Sequence, residues 1–154
     1  MKCAEARQNK QRLDALFSQI SNFSGDIELQ SHWARYLCVL VSAFLETSVL
    51  AVYSEYASKR AKPDVASFVR SRLKGFQNPN MNKILDLTGA FNPEWKTQLR
   101  AATEGEPKEA VDSIVANRNK VAHGESVGIT YSRIQGYYTN AVKVIELIDK
   151  QCNG

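Results

Sequence analysis

Between Leu37 and Val52 apolar side chains come so densely that they nearly surround a helix: Leu37, Val39, Leu40, Val41, Phe44, Leu45, Val49, Leu50 and Val52. A helix that is apolar around most of its circumference must be enclosed by other elements. The helical pattern runs from about Glu28 to Ser58, so this segment is expected to be the central element of a bundle. A membrane anchor fits less well, because the most apolar stretch is short for a bilayer and contains Glu46.

The rest of the chain supplies the enclosing elements. About six or seven helices and no convincing strand are expected, giving an all-α, single-domain bundle over residues 1–154. A first helix runs from about Ala4 to Ser21, with Leu13, Leu16, Phe17 and Ile20 on one face, and Asn22-Phe23-Ser24-Gly25-Asp26 breaks it. Pro63 opens a helix through Leu73, with Gly75 as its stop. Asparagine caps backbone N–H groups and proline lacks a donor to leave unpaired, so Asn78-Pro79 and Asn92-Pro93 each predict a helix start. These helices are expected over about Pro79–Leu87 and Pro93–Ala102. Gly105-Glu106-Pro107 opens the next, ending near His123 with Gly124 as a left-handed cap. Thr130 caps a last helix through Lys150, whose inward face is Ile134, Tyr137 or Tyr138, Ala141, Val142, Ile145 and Ile148.

Composition excludes extensive disorder, since 44% of residues are hydrophobic and only 23% charged. A net charge of +4 permits a polyanionic partner without requiring one. Cys3, Cys38 and Cys152 are far apart and odd in number, and with only His32 and His123 beside them a zinc site is hard to assemble. The segment Met1-Lys2-Cys3-Ala4-Glu5-Ala6-Arg7-Gln8 lacks the apolar core of a signal peptide. Reduced thiols in a cytoplasmic protein are therefore expected, with no cofactor, no metal and no membrane partner. The chain shows no glycine-rich phosphate loop, GxSxG elbow or HExxH pair, and Glu109 and Asp112 read as ordinary helix-surface carboxylates.

The segment Glu106 to His123 departs from an ordinary amphipathic helix. Val111, Ile114, Val115, Val121 and Ala122 share one stripe, and Arg118 falls near its centre. A cation there is costly unless it is paired or opens onto a cleft or interface. His123 follows five residues later, beside Gly124. In a regular helix the two side chains diverge by about 140°, with Asn119 between them. One chain can thus line a broad groove, whereas two chains related by a two-fold axis can turn both groups toward one cleft.

The segment Ile114-Val115-Ala116-Asn117-Arg118-Asn119-Lys120-Val121-Ala122-His123-Gly124 resembles the RxxxxH signature of the HEPN superfamily, and is similar to the RiboL-PSP-HEPN and MAE_28990-type groups. Phe76-Gln77-Asn78-Pro79-Asn80 and the apolar helix around Leu45-Glu46 are compatible with those groups. The resemblance implies a helical bundle that forms a homodimer with a composite active site and cleaves single-stranded RNA without metal. It also implies service as a toxin with an antitoxin protein as partner, or as a phage-defence component. Arg118, Asn119 and His123 are then the catalytic candidates, with Lys120, Glu46 and Tyr131 as RNA-binding or orienting candidates.

The expected chemistry is attack of a ribose 2′-hydroxyl on the adjacent phosphorus, leaving a 2′,3′-cyclic phosphate and a 5′-hydroxyl. Imidazole suits the proton transfer, as base, as acid or as each in turn across two subunits. The planar fork of arginine suits phosphate binding. Asn119 is expected to orient His123 or donate to phosphate, and Lys120 to add outer attraction. Structural alternatives stand beside these roles. Arg118 can bridge to Glu46 in the core, and His123 can merely cap the helix end. His32 beside Trp33 fits a surface or packing role. Tyr131, Tyr137 and Tyr138 can stack on bases where they are not core. The basic clusters Lys59-Arg60-Lys62 and Arg70-Arg72-Lys74 fit solvated helix faces. A non-catalytic HEPN module for dimerisation or partner binding is the alternative to the nuclease.

Overall fold

The computed structural model describes residues 1–22 and 25–154; Phe23 and Ser24 of the expected break lie outside the described residues. Among the described residues there are seven helices and no strand: α1 (Ala4–Ser21), α2 (Ile27–Arg60), α3 (Pro63–Leu73), α4 (Met81–Phe91), α5 (Pro93–Thr103), α6 (Glu106–Ala122) and α7 (Tyr131–Asn153).

The second helix organises the rest. The Asp26 carboxylate accepts from the Leu29 N–H at 2.9 Å, so its start is fixed by a side-chain cap. Its 34 residues extend roughly 51 Å at the usual helical rise. Leu37, Cys38, Val41, Leu45, Val49, Val52 and Tyr53 are fully buried along it, and each aliphatic side chain so removed from water stabilises the fold by about 1.5–3 kcal/mol. By length and composition alone α2 is apolar enough to cross a membrane, yet most of its apolar window is buried against the other helices. One hydrophobic cluster draws on all seven helices around it.

Side-chain contacts set the helix directions. Asn9 meets Thr47 at 3.3 Å, and Cys3 lies beside Glu55, so α1 runs against α2. The α7 hydroxyls reach back along α1, Tyr131 to the Phe17 carbonyl and Tyr138 to the Lys10 carbonyl, while Asp149 accepts from the Cys3 N–H. Accordingly α7 runs against α1 and with α2, a direction that Tyr138 against Phe44 at 5.7 Å and Cys152 near Tyr53 together support. Finally α6 runs against α7: Glu106 and Glu109 share a groove wall with Asn140, whereas Asn117 shares the other end with Thr130.

Several boundaries differ from expectation for local physical reasons. Asn92 caps α5 as predicted, accepting from Glu94 N–H at 2.9 Å. The helix expected at Pro79 starts at Met81 instead, because Asn80 is the cap that accepts from Lys83 N–H, while Asn78 takes a left-handed turn at φ 51°. Asp112 is not an idle surface carboxylate: it reaches from α6 to the Met81 N–H at 2.8 Å and ties α4 down, while also pairing with Lys108. On α7, Tyr138 is the buried tyrosine and Val144 is buried, whereas Val142 is half-buried. Tyr138 stacks on Phe17 at 4.8 Å, and its phenol is pushed up by burial and by the Asp14 carboxylate it bonds.

Candidate active site

Arg118, Asn119 and His123 occupy the last turn and end of α6, where the helix emerges from the bundle. Ile114 and Val115 are buried one turn earlier, while Arg118 and Val121 are half-buried and Ala122 and His123 exposed. The stripe therefore ends in the open, and Ala122 belongs to the surface, not to the core as its position in the stripe suggested. The Cys38 thiol donates to the Ile114 carbonyl at 3.5 Å and fixes the register of α6 on α2.

That register answers the question of Arg118's partner. Because α6 runs against α2, the step from Ile114 to Arg118 moves toward the start of α2, while Glu46 lies two turns from Cys38 in the opposite direction. The expected Arg118–Glu46 bridge is not formed. The ion pairs among the described residues are Lys10–Asp14, Lys59–Glu55, Lys96–Asp86 and Lys108–Asp112. Arg118 instead donates through Nη1 to the Asn119 Oδ1 at 3.3 Å. An amide leaves the guanidinium charge uncancelled, and the Asn119 NH2 group keeps its own donors. Asn119 thus steadies Arg118, and no bond between Asn119 and the His123 ring is present.

His123 sits on a backbone turn that satisfies the helix end by itself. Gly124 N–H donates to the Val121 carbonyl at 3.1 Å and Glu125 N–H to the Lys120 carbonyl at 2.9 Å, the paired bonds of a Schellman motif. The motif needs a left-handed residue, and Gly124 takes φ 72°. The His123 N–H is shared between the Asn119 and Lys120 carbonyls, while its exposed ring has no hydrogen-bond partner among the described residues. Carbonyl capping is thus performed by the backbone, and the imidazole is left accessible.

The other candidates fall into separate places. Lys120 is exposed on the same last turn. Tyr131 is half-buried, its hydroxyl committed to the Phe17 carbonyl at 3.0 Å and its phenol pushed up by burial. Tyr137 is half-buried beside Arg133, Asn117 and Thr130 in a groove of about 330 Å³, and with Arg133 it also lines a larger one of about 740 Å³ along α6 and α7. In the sequence Arg133 carries little signal beyond its spacing of four residues from Tyr137. His32 is exposed near Trp33 at the start of α2. The two basic clusters make mainly local contacts: Arg60 lies over Tyr56 at 5.0 Å, Arg72 over Phe68 at 5.2 Å, and Arg70 bonds the Ser58 hydroxyl. All three cysteines are free and buried, and no group of three or more His, Cys, Asp or Glu side chains is gathered for a metal among the described residues.

At the end of a bundle helix, a half-buried arginine with no carboxylate partner among the described residues is thus followed by an exposed histidine. The model of the RiboL-PSP-HEPN family matches residues 5–154, nearly the whole length, and the chain belongs to that family. Comparison with curated proteins and with solved structures returns no match.

Proposed function

We propose that this protein is a metal-independent endoribonuclease of HEPN type, acting on single-stranded RNA. The observation that carries the proposal is the end of α6, where Arg118 has no carboxylate partner among the described residues and His123 is exposed on a fixed turn. Arg118 holds a phosphate through its fork, steadied by Asn119, and stabilises charge that grows on the phosphoryl oxygens. His123 moves the proton of the attacking 2′-hydroxyl or of the leaving 5′-oxygen. The products are a 2′,3′-cyclic phosphate and a 5′-hydroxyl. Lys120 adds outer electrostatic attraction.

Two copies in a homodimer complete the site, since the two side chains diverge along one helix. The biological setting of such an activity is a toxin held by an antitoxin protein, or a phage-defence component, in the cytoplasm. Incubation of labelled single-stranded RNA with the purified protein in EDTA tests the reading. Cleavage giving cyclic phosphate ends is expected, with a loss of roughly a hundredfold or more in His123→Ala and in Arg118→Ala. Equal cleavage by His123→Ala refutes the mechanism. A second reading, a non-catalytic HEPN module for dimerisation or partner binding, is favoured by the apolar residues left exposed along the first turns of α2, with Ile27 at 84% and Tyr36 at 51%. Binding of a partner with no turnover of RNA selects that reading.

A further inference from the structure

Arg35 lies in the first third of α2, half-buried, and its Nε is buried without a hydrogen-bond partner. It takes part in none of the ion pairs among the described residues. A guanidinium in that state is unfavourable unless something negative reaches it. The contact between Cys38 and Ile114 shows what lies opposite. Arg35 precedes Cys38 by three residues on α2, and Arg118 follows Ile114 by four on the antiparallel α6. At the helical rise these steps displace the two residues about 4.5 Å and about 6 Å from the contact, in the same direction. Both also stay on the faces their helices turn toward one another, since offsets of three and four residues return to the same side.

Two arginines therefore reach one level of the bundle from facing helices, with no carboxylate paired to either. An anion placed between or beside them is attracted by both charges. We infer that Arg35 and Arg118 form one anion site at this end of the α2–α6 seam, taking phosphates of a single RNA strand. Arg35 grips the backbone next to the phosphate that Arg118 holds, and acts as a substrate-positioning residue. The inference rests on the ribonuclease reading for the identity of the anion, and on the register alone for the site.

The test uses the full chain, a labelled single-stranded oligonucleotide with 2′-O-methyl sugars that cannot be cleaved, and its unmodified counterpart. Arg35→Gln is expected to weaken binding of the uncleavable strand about tenfold. It is also expected to flatten the dependence of log affinity on log salt by about 0.7, the signature of one lost phosphate contact on a single strand. With unmodified RNA, KM is expected to rise more than kcat falls. Arg35→Lys should recover the salt slope while leaving affinity below wild type, because the fork is lost and the charge kept. Inorganic phosphate should raise the melting temperature of the unaltered protein, measured against chloride at equal ionic strength. No such rise overturns the inference without recourse to any variant. So does a folded Arg35→Gln protein with wild-type affinity and slope, even while His123-dependent cleavage continues. A protein that binds the strand through Arg35 but cleaves no RNA supports the anion site and refutes the nuclease instead.

Discussion

Replacing Gly124 by alanine should separate the turn that holds His123 from the rest of the fold. Gly124 takes φ 72°, and a Cβ built there meets nothing within 4 Å, so any cost is conformational, not steric. Holding an ordinary residue in the left-handed region costs about 1–2 kcal/mol. Stiffening of the unfolded chain returns about 0.4–1 kcal/mol, which leaves a net destabilisation of about 1 kcal/mol. For a chain of 154 residues this corresponds to a fall of about 2–4 °C in melting temperature. Gly136 is the matched control, because it lies inside α7 with equally open space and an ordinary φ. Alanine there should stabilise by about 0.5–1 kcal/mol. Urea midpoints of the two variants should move in opposite directions from wild type. RNA cleavage by Gly124→Ala should fall further than its folded fraction explains, because the two Schellman bonds set the place of the imidazole. Wild-type midpoint and wild-type cleavage in Gly124→Ala would refute the claim that this turn fixes His123.

Burial holds the Cys38 thiol up at about 11 and the Cys152 thiol at about 12, against an ordinary 9.0, with the Asp149 carboxylate adding to the second. Because the folded values lie above the unfolded ones, the unfolded chain loses these protons first. Their contribution to stability is intact below about pH 9 and declines as pH rises through about 11 to 12; urea midpoints that climb above pH 9 would contradict this. Asp112→Ala removes the carboxylate from the Met81 N–H at 2.8 Å and should cost about 1–2 kcal/mol in thermal or urea unfolding. Asp112→Asn keeps an acceptor and should cost less; equal losses in the two would assign the effect to the Lys108 pair instead.

Much of the fold was legible because its signals are local. Asn92 and Thr130 each cap the helix that follows them through a side-chain oxygen, as their positions predict, whereas Asp26, expected only within a break, caps α2 as well; the apolar girdle of α2 required a central place. Where two local signals competed, the sequence offered no means of choosing. Asn78-Pro79 and Asn80 are both competent starts, and the Asp112 carboxylate, from another helix, secures the later one. Tyr137 and Tyr138 differ by one residue, and the contacts of Tyr138 with Phe17, Phe44, Lys10 and Asp14 decide between them. In the candidate site, the out-of-place Arg118 and the Gly124 turn were visible from spacing alone. Glu46 and Arg118 both interrupt apolar runs, which suggests a pair from the sequence, but an ion pair depends on the register between two helices, which no periodicity encodes. The same register brings Arg35 forward, a residue without any sequence signal of its own.

The N–H groups of Lys2 and Cys3 both donate to the buried Asp149 carboxylate, and Lys2 Nζ donates to the Asn153 carbonyl at 2.6 Å. The first and last helices therefore start and finish side by side, at the opposite pole of the molecule from Arg118 and His123. Segments joined before α1 or after α7 should therefore leave the molecule together, on the side away from Arg118 and His123.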